Sequence, residues 1–324
     1  NPVPRMKPAA IARALLGTDL LVSGGGGLIQ DSTGINSVLY YLGVCALARM
    51  LGRPVMFYCQ GFGPVRTGLG RRLTRLVANR VQLITVRDEE SELDMRALGV
   101  CRPPIRVTAD PVLGLEPADP ERVRRILAEE GLLGDVSRME RPAGGSDVGP
   151  LTAVAVRPWT GLDLESLAEA LRRFVERDRA RLLLVPFQPE SDRPVCRDLA
   201  ERVGRSARVL GSAYSPRELM GILACTDLVL GMRLHALIMA AARGIPCLGL
   251  AYDPKVERFC QRCGAVSLPL SEAAPDRLHR ALQHLLQARA HARRVMQERV
   301  EPMVRAVREC AESALSLARQ HRSF

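Results

Sequence analysis

The chain has 324 residues, 47% of them hydrophobic and 25% charged, which is enough apolar matter for two buried cores and too much for a disordered or fibrous protein. A formal net charge of +11, scattered through the chain, with only 4% aromatic residues leaves a phosphorylated small molecule or an anionic membrane face as partner; no nucleic acid is expected, the few aromatics arguing against single strands, which need stacking rings. No uncharged apolar run approaches the ~20 residues of a membrane span, and residues 1–7 lack the layout of a signal peptide, so the expectation is a cytoplasmic protein with peripheral contact at the inner face of the plasma membrane left open.

Along the chain, short apolar runs alternate with longer amphipathic segments, the pattern of parallel strands joined by crossover helices. A helix-like segment over 8–16 leads to a strand at 19–23, a helix over 35–51 and a strand at 54–59. A helix over 69–79, a strand at 81–86, a helix over 89–98 and a strand at 105–108 follow. Residues 135–150 lose periodicity and fill with Gly, Pro and Ser, as linkers do. Strands resume at 152–156, 181–186, 207–210, 227–230 and 246–250, each followed by a helical pattern, and beyond Pro275 the chain reads as helix to about 320. The prediction is an α/β protein of two Rossmann-like, doubly wound domains facing a cleft. They are a first domain over 1–136 that starts late, without an initial strand, a linker over 137–150, a second domain over 151–274, and a helical segment over 275–324 packing back across both.

Nine cysteines sit mostly in apolar runs and read as reduced thiols used as small hydrophobes. Cys260 and Cys263 form a CxxC pair with no second pair or histidine at zinc spacing, so no metal site is expected. His279, His284, His291 and His321 of the terminal helical segment read as solvated. Lys7 and Lys255 are the only lysines; 46 basic residues minus 2 leaves 44 arginines. A lysine kept in so arginine-rich a chain is a candidate for chemistry a guanidinium cannot replace.

In doubly wound folds, ligands gather at the carboxyl ends of the strands, and the notable residues follow strands. Ser23-Gly24-Gly25-Gly26-Gly27 leads through Gln30 and Asp31; its glycines either let a ligand approach the backbone or serve a tight turn. Cys59-Gln60-Gly61-Phe62-Gly63-Pro64 is a second such loop. Arg87, before Asp88, either takes an anion or pairs locally. Arg157, followed by Pro158 and Trp159, ends the first strand of the second half and is placed to hold a carboxylate or phosphate through two parallel bonds. In Gly231-Met232-Arg233-Leu234-His235 an arginine and a histidine open an apolar helix, where cations are disfavoured unless an anion binds. Tyr252-Asp253-Pro254-Lys255 brings the lysine to the same sheet edge one crossover later.

The glycine-rich 23–31 stretch, Gln60-Gly61-Phe62-Gly63-Pro64, Val86-Arg87-Asp88, Thr108-Ala109-Asp110-Pro111, the Arg233-Leu234-His235 segment and Tyr252-Asp253-Pro254-Lys255-Val256 together resemble the bacterial polysaccharide pyruvyl transferases, in order from about 19 to 268. The Gly-Asn-x-Gly-Asp-like loop with which family members begin is not in this sequence. The resemblance implies a fold like the type B glycosyltransferases, with phosphoenolpyruvate as co-substrate and no further cofactor. The branch it is most similar to places a 4,6-linked pyruvate ketal on N-acetylmannosamine of a lipid-linked secondary cell-wall polymer. For such a reaction Arg157, Arg233 and Lys255 are the expected phosphoenolpyruvate ligands and His235 the proton carrier. Gly25, Gly26, Asp31, Gln60 and Arg87 are the expected acceptor contacts, with Asp31 a candidate base. A nucleotide-sugar glycosyltransferase or epimerase on the same fold, and an inactive saccharide-binding module, are the competing readings.

Overall fold

The computed structural model describes residues 3–4, 7–32, 34–132 and 149–322. By its packing the chain divides into two compact units, Asn1–Gly114 with Met303–Phe324, and Leu115–Pro302. The predicted linker at 137–150 lies outside the described residues apart from Gly149 and Pro150.

Unit 1 contains α1 (Pro8–Leu16), β1 (Leu21–Gly24), α2 (Asn36–Met50), β2 (Val55–Gln60), α3 (Gly68–Ala78), β3 (Leu83–Val86), α4 (Glu89–Ala97) and β4 (Ile105–Val107). Its four strands are parallel, in the order β1-β2-β3-β4. Right-handed crossovers in one direction put α2, α3 and α4 on a single face. Strand alternation sends Val55, Phe57, Ile84 and Val86 into a core with Val38, Leu42, Val77 and Met95 of those helices. Met56 and Leu83 on the opposite face pack with Cys310 of the carboxyl-terminal helix.

Unit 2 contains α5 (Pro120–Glu129), β5 (Leu151–Ala155), α6 (Leu164–Asp178), β6 (Arg181–Leu184), α7 (Pro189–Val203), β7 (Ala207–Val209) and α8 (Pro216–Ala224). It continues with β8 (Leu228–Gly231), α9 (Leu234–Ala242), β9 (Cys247–Ala251), α10 (Pro254–Cys263), β10 (Val266–Pro269), α11 (Pro275–Gln287) and the start of α12 (Arg289–Arg322). The six parallel strands run β10-β9-β8-β5-β6-β7, so the winding reverses between β5 and β8. Val154, Leu182, Leu184, Leu230 and Leu248 face α6, α7 and α11 through Leu171, Phe174, Cys196, Leu199 and Leu282. Among the described residues the reversal occurs in unit 2; the strand order of unit 1 runs one way.

Three expectations change. The division falls after Gly114 and not near 136, because α5 turns Val123, Ile126 and Leu127 inward and packs on α8, whose Gly221 leaves room for Val123. Arg122 Nε adds a 2.8 Å ion pair to Glu218 of α8. The terminal segment is two helices broken at Ala288, belonging to unit 2 through Pro302 and to unit 1 from Met303. His279 is not solvated: it lies on the buried face of α11 with Leu278, Leu282 and Leu285, edge-on to Phe174 and 3.2 Å from Asp178 Oδ2.

Candidate active site

The register Ala155↔Gly231↔Gly249 sets the carboxyl ends of β5, β8 and β9 side by side. Arg157 follows the first, Arg233 and His235 the second, and Tyr252 and Lys255 the third, so the four predicted residues of unit 2 share one sheet edge at the switch point. Gly231 has a packing reason rather than a dihedral one, since a Cβ there would stand 2.9 Å from Leu237 Cδ2. The glycine lets α9 start close against its own strand.

The two arginines reach in opposite directions along this edge. Arg157 Nη1 donates to Tyr252 Oη at 3.1 Å, and its guanidinium lies 5.3 Å from the Trp159 ring and 5.4 Å from the Tyr252 ring. Those rings pack with centroids 4.5 Å apart, which fixes the cation by stacking. Its Nε is buried without a hydrogen-bond partner among the described residues. Arg233 turns toward the start of α7: Nε donates to Asp192 Oδ2 at 3.0 Å, Nη2 to Asp192 Oδ1 and to Gln188 Oε1 at 2.9 Å. Asp192 is fully buried and accepts also from Gln188 N and Ser191 Oγ. Nη1 of Arg233 has no hydrogen bond among the described residues.

His235 and Lys255 are exposed, and neither side chain has a hydrogen-bond or ion-pair partner among the described residues. His235 sits in the first turn of α9, whose N-cap, Arg233, makes no side-chain cap bond and whose first turn holds no acid. Ala236 N donates to Arg233 O at 3.0 Å, while the N–H groups of Leu234 and His235 have no hydrogen-bond partner among the described residues, as is usual at a helix start. The next helix is different, for Asp253 caps α10 by accepting from Lys255 N at 2.9 Å. Trp159, Gln188, Asp192 and Tyr252 were not among the predicted site residues.

The predicted residues of unit 1 gather at the carboxyl edge of its own sheet. Two loops are laced together by Gly61 N to Gly26 O, Gly63 N to Ile29 O and Asp31 N to Pro64 O, at 3.1–3.2 Å. Gly24 is required by packing, since a Cβ there would stand 2.0 Å from Tyr58 O. Gly25 turns at φ 83°, and Gly26 faces open space. Gln60 is fully buried and neither of its amide atoms has a hydrogen-bond partner among the described residues. Beside it Cys59 takes φ 45° at a register shift in the β2–β3 pairing; such strain collects at functional positions. Arg87 lies over Gly61, 3.3 Å from Asp88 and 3.7 Å from the buried Asp110.

Asp31 does not fit the part of a base. Its carboxylate accepts from Arg66 N, Thr67 N and Thr67 Oγ1 at 2.8–2.9 Å, and those bonds, the Thr67 and Arg66 amides first, hold its pKa below the ordinary value. It fastens the loop that precedes α3.

Solved structures similar to the chain show its fold. A UDP-GlcNAc 2-epimerase from Neisseria meningitidis bound to UDP-GlcNAc aligns with a TM-score of 0.61 at 14% identity, covering 96% of this chain and 83% of the other. HepE of Anabaena, in complex with UDP and glucose, aligns at 0.57 and 13%, covering 95% and 82%. An α,α-trehalose 6-phosphate synthase from Burkholderia multivorans aligns at 0.54 and 13%, covering 99% and 78%. The fold is that of the type B glycosyltransferases and related epimerases. Nothing among curated protein sequences matches the chain. The family model for polysaccharide pyruvyl transferase matches residues 4–254, and the chain belongs to that family of transferases.

Proposed function

We propose that the chain transfers the pyruvyl group of phosphoenolpyruvate to a sugar of a lipid-linked cell-wall polysaccharide precursor, forming a 4,6-cyclic ketal on N-acetylmannosamine and releasing phosphate. The observation that carries this reading is the placing of Arg157, Arg233, His235 and Lys255 just past three neighbouring strand ends, with the start of α9, along one sheet edge of unit 2. Phosphoenolpyruvate bears a carboxylate and a phosphate on one enol carbon, and such a pair of anions needs several preset donors. Arg157 and Nη1 of Arg233 supply planar donors, Lys255 a compact charge, and the first turn of α9 its N–H groups.

The reaction balances without another reagent. The methylene carbon gains a proton and the first sugar hydroxyl adds to C2, giving up its own proton. Phosphate leaves with the electron pair of its bond to C2. The second hydroxyl then closes the ketal, its proton passing to phosphate. His235, exposed at the same helix start, is the group that exchanges protons with the hydroxyl and the methylene carbon, since an imidazole does so near neutral pH. Gly25, Gly26, Gln60 and Arg87 are the sugar contacts in this scheme. No further cofactor enters.

A second reading, a nucleotide-sugar glycosyltransferase, is favoured by the UDP in solved structures of the same fold. Titration calorimetry with phosphoenolpyruvate and with UDP-sugars separates the two. Phosphoenolpyruvate binding, and phosphate release in step with pyruvylation of a lipid-linked disaccharide seen by mass spectrometry, are expected. Binding of a UDP-sugar without phosphoenolpyruvate would overturn the proposal, and glycan binding with no phosphate release would identify an inactive module.

A further inference from the structure

We infer that unit 1 docks on an anionic lipid surface through the outer faces of α2 and α3. Between Asp31 and Asp88 lie 56 residues with eight arginines and no carboxylate. Five of the eight, Arg66, Arg71, Arg72, Arg75 and Arg80, lie on or beside α3 and are exposed. None of the five makes an ion pair among the described residues. Their guanidiniums make a cluster of one sign, with Asp31, bonded to the Arg66 and Thr67 amides, the acid beside it at the start of α3.

The same face is apolar. α3 turns Gly70, Thr74, Val77 and Ala78 inward, while Leu69 and Leu76 stay 54% and 51% exposed. At 100° per residue these two leucines adjoin Arg72, with Arg75 and Arg71 next around the helix. α2 packs beside α3 on the same side of the sheet, with Arg49 its only charge. It adds Leu39 and Met50, 39% and 83% exposed. Four large apolar side chains thus stand in water on two adjoining helices, beside a row of unpaired arginines.

That combination selects the partner. Nucleic acid would take the arginines and leave the leucines in water. A bilayer takes both, the leucines and methionine at the acyl boundary and the guanidiniums at headgroup phosphates, their long stems lying along the interface. α4, with Glu89, Glu90 and Glu92 in its first turn, marks the limit of the footprint. The surface goes beyond the reaction proposed above; its use in reaching a lipid-linked acceptor rests on that reading.

The test is flotation of the full chain with vesicles of phosphatidylcholine alone or with about one third phosphatidylglycerol. Partition to the anionic vesicles is expected to be at least about tenfold stronger, and to weaken between about 0.1 M and about 1 M salt as the Debye length falls from ~10 to ~3 Å. Leu69→Ser with Leu76→Ser should lose about tenfold, and Leu39→Ser with Met50→Ser should lose a similar factor. Arg71→Glu, Arg72→Glu and Arg75→Glu combined should lose on the order of 100-fold, at about fivefold per arginine. Each variant is compared at unchanged circular dichroism. Absence of vesicle binding, equal binding to both compositions, or binding that both serine pairs leave intact overturns the inference. Salt-sensitive binding to duplex DNA tighter than to vesicles and indifferent to the serine pairs overturns it too. No substrate is present in this assay, so a chain that floats with anionic vesicles but releases no phosphate keeps the surface and sinks the proposed reaction.

Discussion

Asp192 decides how much Arg233 can contribute. The carboxylate is fully buried and takes two bonds from the guanidinium, so part of the arginine's charge is already answered and its gain is orientation. Removing one member of a buried pair costs about 3–5 kcal/mol. Asp192→Ala is expected near ~3 kcal/mol in denaturant unfolding, the lower end because Arg233 keeps some solvent access. Asp192→Asn should keep the fold and raise KM for phosphoenolpyruvate more than it lowers kcat, since it loosens a binding group. His235 has no such partner, and His235→Gln should leave stability unchanged while kcat falls about 10²–10⁴-fold. Near-normal turnover in that variant would remove the imidazole from the mechanism. Lys255→Arg should lose at least about tenfold in kcat/KM, because a planar fork does not replace a compact ammonium; full activity would refute the argument from lysine scarcity.

The glycine loops after β1 and β2 work as one element, laced by backbone bonds and fastened at Asp31. The folded pKa of that carboxyl is depressed by the Thr67 and Arg66 amides, so its stabilisation is present above the ordinary carboxylate pKa of ~3.9 and is lost as pH falls through the lower folded value. Asp31→Asn should therefore speed exchange of the Arg66 and Thr67 amides near neutral pH, and that difference from the parent should fade in acid. An unchanged exchange pattern at neutral pH would deny Asp31 its fastening role. From sequence an acid after a glycine run looks the same whether it is a base or a loop anchor; only its three donors distinguish them. The strands were legible because parallel strands buried on both faces read as short apolar runs, as at 246–250 against the observed Cys247–Ala251. Arg157, Arg233, His235 and Lys255 were legible as functional types placed just past such runs. Gln188 and Asp192 were not, since the turn after β6 has neither the glycines nor the cation that marked the other strand ends. The helix α5 was not among the predicted elements; even an amphipathic pattern such as its own does not say against which sheet the apolar face packs.

Across the whole molecule the long α12 belongs to both units, passing from one to the other at Pro302. Its last part is structural for unit 1: Cys310 is buried against Met56, Cys59 and Leu83, with Ala314 and Leu317 packed alongside, and Val307 closes on Gly114. Cys59 and Cys310 meet sulfur to sulfur at 3.5 Å, and Thr85 Oγ1 lies 3.1 Å from the Cys310 thiol. The second face of the β1-β2-β3-β4 sheet is therefore completed by residues more than two hundred positions away in sequence. Burial of a Val, Leu or Met side chain is worth about 1.5–3 kcal/mol, so losing this segment would remove a large share of the ~5–15 kcal/mol that holds a domain folded. A chain ending at Pro302 should lose hydrogen-exchange protection in β2 and β3, while β5, β6 and β8, whose core draws on α6, α7 and α11, keep theirs. Equal protection of both sheets in the shortened chain would contradict this role for α12. Loss of protection in both would mean that the two units fold as one, whereas exposure of β2 and β3 alone would follow from a first unit whose core is finished by the last helix of the chain.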